Sequence, residues 1–240
     1  MESEHTFNIL WEGELQLDRI KWNKKIFQEY RLSRKYNSRI RSNWEQHIRE
    51  NPDNYDGNLM FLNNFHFKDN FFYLDTSCMK FSTAIYMIKY RIGIKKGIGV
   101  LSTQYLVFSQ IKDYILIGER SLDQLYFPGV TTCPGGILEV DDLAKSPKEA
   151  LMREAHEEIN LPLQQDAYLS AILVGWNGVS VTFLITTFLS DSYSFSPDEI
   201  IHAEAEEWKD DLRWLSVDKL KRVPKNQLLD GLIYYQSKLF

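Results

Sequence analysis

Apolar residues recur at helical spacing through the first fifty positions. The stretches "LDRIKWNKKIFQEYRL" and "SRIRSNWEQHIREN" both follow that pattern and predict helices. "NPDNYDG" (51–57) is dense in turn residues and stops it. "NLMFLNNFHF" and "NFFYLDTS" then read as short strands, while "TAIYMIKYRIGIKK" (83–96) is compatible with helix or strand. From Gly97 the pattern changes to β-branched and aromatic runs. "GIGVLSTQYLVFS" and "DYILIGER" predict consecutive strands. "LYFPGVTTCPGG" predicts a loop and strand punctuated by Pro128, Gly129, Pro134, Gly135 and Gly136, and a helix follows. "YLSAILVGW" and "VSVTFLITTFLS" predict a strand pair turning at Asn177-Gly178. A second helix candidate starts at Ser196, "LRWLSVDKL" reads as strand then helix, and "NQLLDGLIYYQSKL" as a helix with an apolar stripe. The pattern implies an α+β protein. A mixed sheet flanked by helices occupies residues 97–240, and residues 1–96 form an attached subdomain of helices followed by short strands. There is no internal repeat and no low-complexity segment.

The composition narrows the function classes. With 240 residues, 44% apolar and 25% charged, the chain reads as globular and long enough for a proper core. A net charge of −5 gives no global field for nucleic acid. The basic stretch "RLSRKYNSRIR" (31–41) is flanked by acids and reads as a solvated helical face. Aromatics reach 14%, which suits a homodimer interface or a core equally. Cys78 and Cys133 lack metal-ligand spacing and read as free thiols in a reducing compartment. No run of about 18 apolar residues predicts a membrane span. "MESEHTFNIL" lacks the basic and apolar regions of a signal peptide, so a cytoplasmic location is expected.

The helix after the glycines carries the candidate chemistry. Ser146 can cap it, Pro147 suits its first position, Glu149 completes a capping box, and Asn160 can end it in a left-handed conformation before Pro162. Leu151, Met152, Ala155 and Ile159 form a stripe that can bury against the sheet. Glu154, Glu157 and Glu158 fall largely off that stripe. Carboxylates three and four apart share a face and repel by a few tenths of a kcal/mol per pair, roughly. Solvent, an arginine or a metal ion must offset this. A solvated surface helix accounts for the spacing alone. Arg153, four residues after Glu149, can orient a carboxylate by a forked hydrogen bond. The upstream glycines leave bare backbone open to a ligand. Acids beside open backbone suit a hard divalent cation and its phosphate.

These residues resemble the Nudix box, G-x5-E-x7-R-E-U-x-E-E-x-G-U, where U is bulky and apolar. Gly136 takes the first glycine, and Arg153, Glu154, Ala155, Glu157, Glu158 and Leu161 fill the second half. Asp142 stands where the first Glu is expected, and the spacing from there to Arg153 is three residues longer. Asp142, Asp141 and Glu139 are alternatives for that acid. Asn160 replaces the box glycine and tolerates the same geometry. The extended box, "EEINLPL" (157–163), "NPDNYDGNLMFL" and "SPDEIIHAEAEEWKDDLRWLSVDKL" resemble the UDP-sugar-hydrolysing branch of the family. Ile137 and Leu138 depart from it, since that branch has His-Pro there.

The resemblance implies a Nudix α/β/α sandwich with a mixed sheet. It implies a hydrolase that splits the diphosphate of a nucleoside diphosphate-linked moiety. Mg²⁺, or Mn²⁺, would be held by Glu154, Glu157 and Glu158 with backbone at Gly135. Arg153 would orient the glutamates, and Arg120, Gly135 and Gly136 would meet substrate. A surface ion pair is the alternative for Arg120, and the commoner role for such a residue. A base would come from Glu204, Glu206 or Glu207. His156 reads as solvated or packing. Trp176, Trp208 and Trp214 read as core rather than as base-stacking residues. The implied substrate is a small nucleotide, with a nucleotide sugar such as UDP-glucose first. ADP-ribose, dinucleotides and nucleoside triphosphates are alternatives, as is a non-catalytic nucleotide-binding module.

Overall fold

The computed structural model describes residues 7–23, 29–50, 52, 54–94, 97–122, 128–159, 161–175, 178–202 and 208–240, without the side chain of Glu154. Strand β1 (Asn8–Gln16) opens the chain, followed by a 3-10 turn (Leu17–Arg19) and strand β2 (Ile20–Asn23). A helix was expected over 17–32, and of its described residues only the 3-10 turn is helical. Leu15 and Leu17 alternate into the main core with Ile20, at 7%, 1% and 1% exposure. β1 pairs antiparallel with a strand more than 150 residues away, at Gln16↔Tyr168. Long-range pairing has overridden a modest local helix propensity. The second expected helix is present as α1 (Asn37–Glu50).

β3 (Asn58–Lys68) and β4 (Phe71–Lys80) follow. These form a hairpin with Asp69 and Asn70 at φ +50° and +62°, the left-handed pair that a two-residue hairpin turn requires. Helix α2 (Phe81–Lys89) resolves the ambiguous stretch. Asp56 anchors its start, accepting from the Ser82 N–H (2.8 Å) and hydroxyl (2.9 Å). Next come β5 (Gly99–Phe108), β6 (Tyr114–Glu119), the short β7 (Thr131–Thr132), a 3-10 turn (Val140–Ala144) and α3 (Pro147–Glu158). The hairpin β8 (Tyr168–Val174) and β9 (Ser180–Phe188) is as expected. The helix expected from Ser196 does not form over its described residues. Ile200 and Ile201 instead make a short strand, β10 (Ile200–Ile201), that pairs with β11 (Leu212–Ser216) and buries Ile201. The helices α4 (Val217–Leu220) and α5 (Asp230–Ser237) close the chain in the expected places.

The strands form one mixed sheet in the order β1-β8-β9-β5-β3-β4-β2, with β6 joining β5, β11 and β7 to one side. β5–β9 and β2–β4 are parallel, and the other pairs are antiparallel. The sheet continues across residue 96, since β1 pairs with β8 and β3 pairs with β5. α3 covers one face, packing Leu151, Met152, Ala155 and Ile159 into the core that holds Leu101, Tyr105 and Val107. On the other face, α5 packs Leu232 and Ile233 against Leu106 and Phe108, and α2 packs Ala84 and Met87 against Val100 and Val179. Helices on both faces of a mixed sheet give the expected α/β/α sandwich. Between α2 and α5 the second face is left uncovered, and a cleft forms there. No described helix is long and apolar enough to cross a membrane. Both cysteines are free thiols.

Candidate active site

α3 starts as its sequence dictates. The Ser146 hydroxyl accepts from the Glu149 N–H (3.2 Å), and the Glu149 carboxylate accepts from the Ser146 N–H (2.8 Å). Glu149 is therefore engaged at the cap, and Arg153 finds another carboxylate. It forks onto Asp142, with Nε to Oδ1 at 2.8 Å and Nη2 to Oδ2 at 2.9 Å, and its Nη1 holds Glu157 Oε2 at 2.5 Å. Asp142 is only 2% exposed and also accepts from the Glu139 N–H (3.1 Å) and Lys145 Nζ (3.2 Å). Burial pushes its carboxyl up, but the Arg153 fork, the Glu139 amide and Lys145 together outweigh burial and hold it below the usual carboxylate range. Of the three acids considered for the first box position, Asp142 is thus the one engaged with Arg153. Glu139 instead accepts from the Tyr55 hydroxyl at 2.5 Å.

Residues 134–138 lie in extended backbone beside β5. The Tyr105 N–H donates to the Pro134 carbonyl (2.8 Å), the Thr103 N–H to Gly136 (2.8 Å), and the Leu138 N–H to Leu101 (3.0 Å). A Cβ on Gly135 would lie 2.1 Å from the Thr103 carbonyl oxygen, so the close approach of the two strands requires glycine there. The Gly135 N–H donates to Glu158 Oε2 at 2.6 Å. Glu158 is 6% exposed, whereas the Glu157 side chain is 56% exposed. In extended backbone a residue's N–H and C=O share an edge. The Gly135 carbonyl therefore faces the same side as the N–H that meets Glu158. The acidic end of α3 and the glycine segment, separate in sequence, are joined here.

The cleft between α2 and α5 has a volume of about 370 Å³, within the range of small-molecule sites. Its lining includes Arg120, Gly135, Gly136 and Glu139, with Phe81, Ala84 and Ile88 of α2 as an apolar wall. Gln104 and Asp230, which sequence reasoning missed, also line it. Gln104 Oε1 accepts from the Gly231 N–H (3.0 Å). Asp230 is 5% exposed, its Oδ1 has no partner, and burial pushes its carboxyl up to about 6. For Asp230 the available signal is a lone carboxylate inside the apolar run "LLDGLIYY", whereas Gln104 follows Ser102 and Thr103 in "VLSTQYLVF" and carries no such mark.

The remaining expected residues are dispersed. Trp208 and Trp214 are buried in the main core, as the core reading expects. His156 is exposed on α3. Glu204, Glu206, Glu207, Asn160 and Trp176 lie outside the described residues. Among the described residues, no three acidic, histidine or cysteine side chains converge as a metal-binding group. That set does not contain the Glu154 side chain. The donors present, two carboxylates and a backbone carbonyl, are all oxygen, and their chemistry fits a hard divalent cation.

An acidic helix end is bonded to a glycine strand, beside a cleft on an α/β/α sandwich, which is the arrangement that the resemblance to the Nudix box implies. The profile of the NUDIX domain matches residues 104–234, more than half of the chain, and the chain belongs to the Nudix family. Solved structures similar to it include a MutT protein from Methanosarcina mazei Go1, 19% identical over 57% of this chain and 87% of that one, with a TM-score of 0.39. The NUDIX domain of Shewanella oneidensis NrtR, complexed with ADP ribose, is 18% identical over 59% and 87%, with a TM-score of 0.42. A bifunctional NMN adenylyltransferase/ADP ribose pyrophosphatase of Francisella tularensis, complexed with AMP and Mn ion, is 20% identical over 65% and 45%, with a TM-score of 0.44. No curated protein sequence matches.

Proposed function

We propose that this Nudix hydrolase cleaves the diphosphate of a nucleoside diphosphate linked to a second moiety. The products would be a nucleoside monophosphate and a phosphorylated second moiety. A nucleotide sugar such as UDP-glucose is the first substrate to test, on the strength of the extended box. The observation that carries the reading is the bond from the Gly135 N–H to Glu158 Oε2. It ties the acidic helix end to the rim of a cleft lined by Gly135, Gly136 and Arg120.

Glu154, Glu157 and Glu158, with the Gly135 carbonyl, would hold Mg²⁺ or Mn²⁺. Such an ion, when bound, neutralises charge on the phosphoryl oxygens and lowers the pKa of a bound water. The chain's own residues do the rest. Arg153, itself held by buried Asp142, fixes the direction of Glu157. Arg120, on the cleft wall, bears on the phosphate. The backbone at Gly135 and Gly136 lets the diphosphate approach closely. The polar groups of Gln104 and Asp230 and the apolar wall of α2 receive the two ends of the substrate. A carboxylate among Glu204, Glu206 and Glu207 takes the proton of the attacking water.

A second reading keeps this chemistry and changes the substrate to ADP-ribose, a dinucleotide or a nucleoside triphosphate. The test is phosphate release in Mg²⁺, with and without chelator, from UDP-glucose, other nucleotide sugars, ADP-ribose, dinucleotides and nucleoside triphosphates. Glu157→Gln is the control. Turnover of UDP-glucose that Glu157→Gln abolishes supports the first reading, and preference for another member of the panel supports the second. Tight binding with no turnover anywhere would leave a nucleotide-binding module.

A further inference from the structure

The basic stretch at 31–41 has no part in the cleft, yet it borders a second pocket. α1 and α2 enclose about 330 Å³, lined by Arg39, Ser42, Asn43, Gln46, Tyr86 and Tyr90. Asn43 is 6% exposed, and its Oδ1 is buried with no partner. A buried amide oxygen without a donor is a vacancy for an N–H group. The rings of Tyr86 and Tyr90 pack with centroids 4.6 Å apart, tilted by 43°, and while Tyr86 is 3% exposed, Tyr90 is 53% exposed and offers the accessible aromatic surface. Gln46 Nε2 is spent on Glu50 (2.9 Å), so the amide oxygen is what Gln46 has left to offer. The neighbouring Arg41 is tied to Glu45 at 2.9 Å. Among the described residues no carboxylate pairs with Arg39, which stands exposed at the pocket. Lys89 lies over the Tyr90 ring, 5.9 Å from its centroid, and adds positive charge nearby.

We infer that this pocket is a second binding site, for a small ring compound bearing an N–H donor and an anionic group, of which a nucleoside monophosphate is the representative. The ring lies against Tyr90, its N–H donates to Asn43, and its phosphate meets Arg39. Bare phosphate or a neutral sugar satisfies only part of this set. The opposite face of α2 carries Phe81, Ala84 and Ile88, which wall the catalytic cleft. Occupancy on one face of the helix therefore bears on substrate affinity at the other. That regulatory consequence rests on the proposed hydrolase reading, whereas the binding does not.

The test is calorimetric titration of AMP and UMP into the full chain in chelator, so that no turnover occurs. Wild type should bind two nucleotides per chain. Asn43→Leu and Tyr90→Ala should each weaken one event at least tenfold and leave the other unchanged. Arg39→Glu should do the same and abolish the salt dependence of that event. Tyr90 and Arg39 are surface positions, so these two variants keep the test decisive if Asn43→Leu fails to fold. No event in wild type, or events that Tyr90→Ala and Arg39→Glu leave unchanged, overturns the site, whereas a single event that both variants weaken places it at this pocket alone. If any panel substrate is turned over, wild type should show a KM that shifts with added nucleoside monophosphate beyond simple competition, and Tyr90→Ala should not. An identical KM response in both overturns the regulatory role. Absence of turnover would sink the hydrolase reading and leave the binding result standing.

Discussion

Replacing Asp230 by Asn should stabilise the protein at alkaline pH and do nothing near pH 4. Asp230 opens α5, is 5% exposed and has an unpartnered Oδ1. Burial raises its carboxyl from 3.8 to about 6. Below 3.8 both folded and unfolded chains are protonated, and the group adds no pH dependence. Between 3.8 and about 6 the unfolded chain has released its proton while the folded chain still holds it, so stability falls as pH rises. Above about 6 the loss is complete. A shift of roughly two units corresponds to about 3 kcal/mol. The helix N-terminus favours a carboxylate by about 0.3–1 kcal/mol, which leaves about 2–3 kcal/mol as the working figure. Asn keeps the shape and cannot ionise. Urea unfolding of wild type and Asp230→Asn at pH 4 and pH 8, with m unchanged, measures the difference. The variant should gain about 2–3 kcal/mol over wild type at pH 8 and match it at pH 4. Equal stabilities at both values, or a less stable variant at pH 8, would refute the reasoning. The carboxylate would then be ionised and satisfied in the folded protein.

Other substitutions test the site in different ways. Asp142→Ala removes the partner of the Arg153 fork and should destabilise by about 1–3 kcal/mol, because the largely buried guanidinium loses two hydrogen bonds and keeps the exposed Glu157. A loss below about 1 kcal/mol in chemical denaturation would show that Arg153 finds water instead. Arg153→Lys cannot reproduce the fork and should lower activity about 10–100-fold with little change in fold, read as kcat on the best panel substrate. Gly135→Ala places a Cβ 2.1 Å from the Thr103 carbonyl oxygen, so strand separation should cost at least about 1–3 kcal/mol and weaken metal-dependent activity. Wild-type stability and activity in that variant would mean the strand moves freely. Burial pushes the thiols of Cys133 and Cys78 up, Cys133 far more, so a thiol reagent should modify Cys78 first and Cys133 only on unfolding.

What the sequence made legible was local. The capping box at Ser146 and Glu149, the stripe on α3, the β8–β9 hairpin and the strand-helix at 212–220 depend on neighbours within a few residues, and each is present. β1 and β2 were hidden because their burial depends on partners far along the chain, with Trp11 packing on Phe72 and Ile20 pairing with Phe72. The site divides in the same way. Arg153, Glu157 and Glu158 share one helix and one motif. Their anchors, Asp142 across a lengthened loop and Gly135 across the sheet, take their meaning from three-dimensional approach. Gln104 and Asp230 were invisible as a pair because the bond that brings them together, Gln104 to the Gly231 amide, spans 127 positions.

The pairing of β1 with β8 has a consequence for how the polypeptide is made. Gln16 meets Tyr168, so the first strand leaves the ribosome about 150 residues before its partner is synthesised. At roughly 5–20 residues per second, that interval is on the order of 10–30 s. Throughout it a nine-residue ribbon bearing Ile9, Leu10 and Trp11 has no sheet to join. The nascent chain therefore carries an unpaired strand through that interval, and holding the strand apart from other nascent chains, by a chaperone or by dilution, should raise the yield of folded protein.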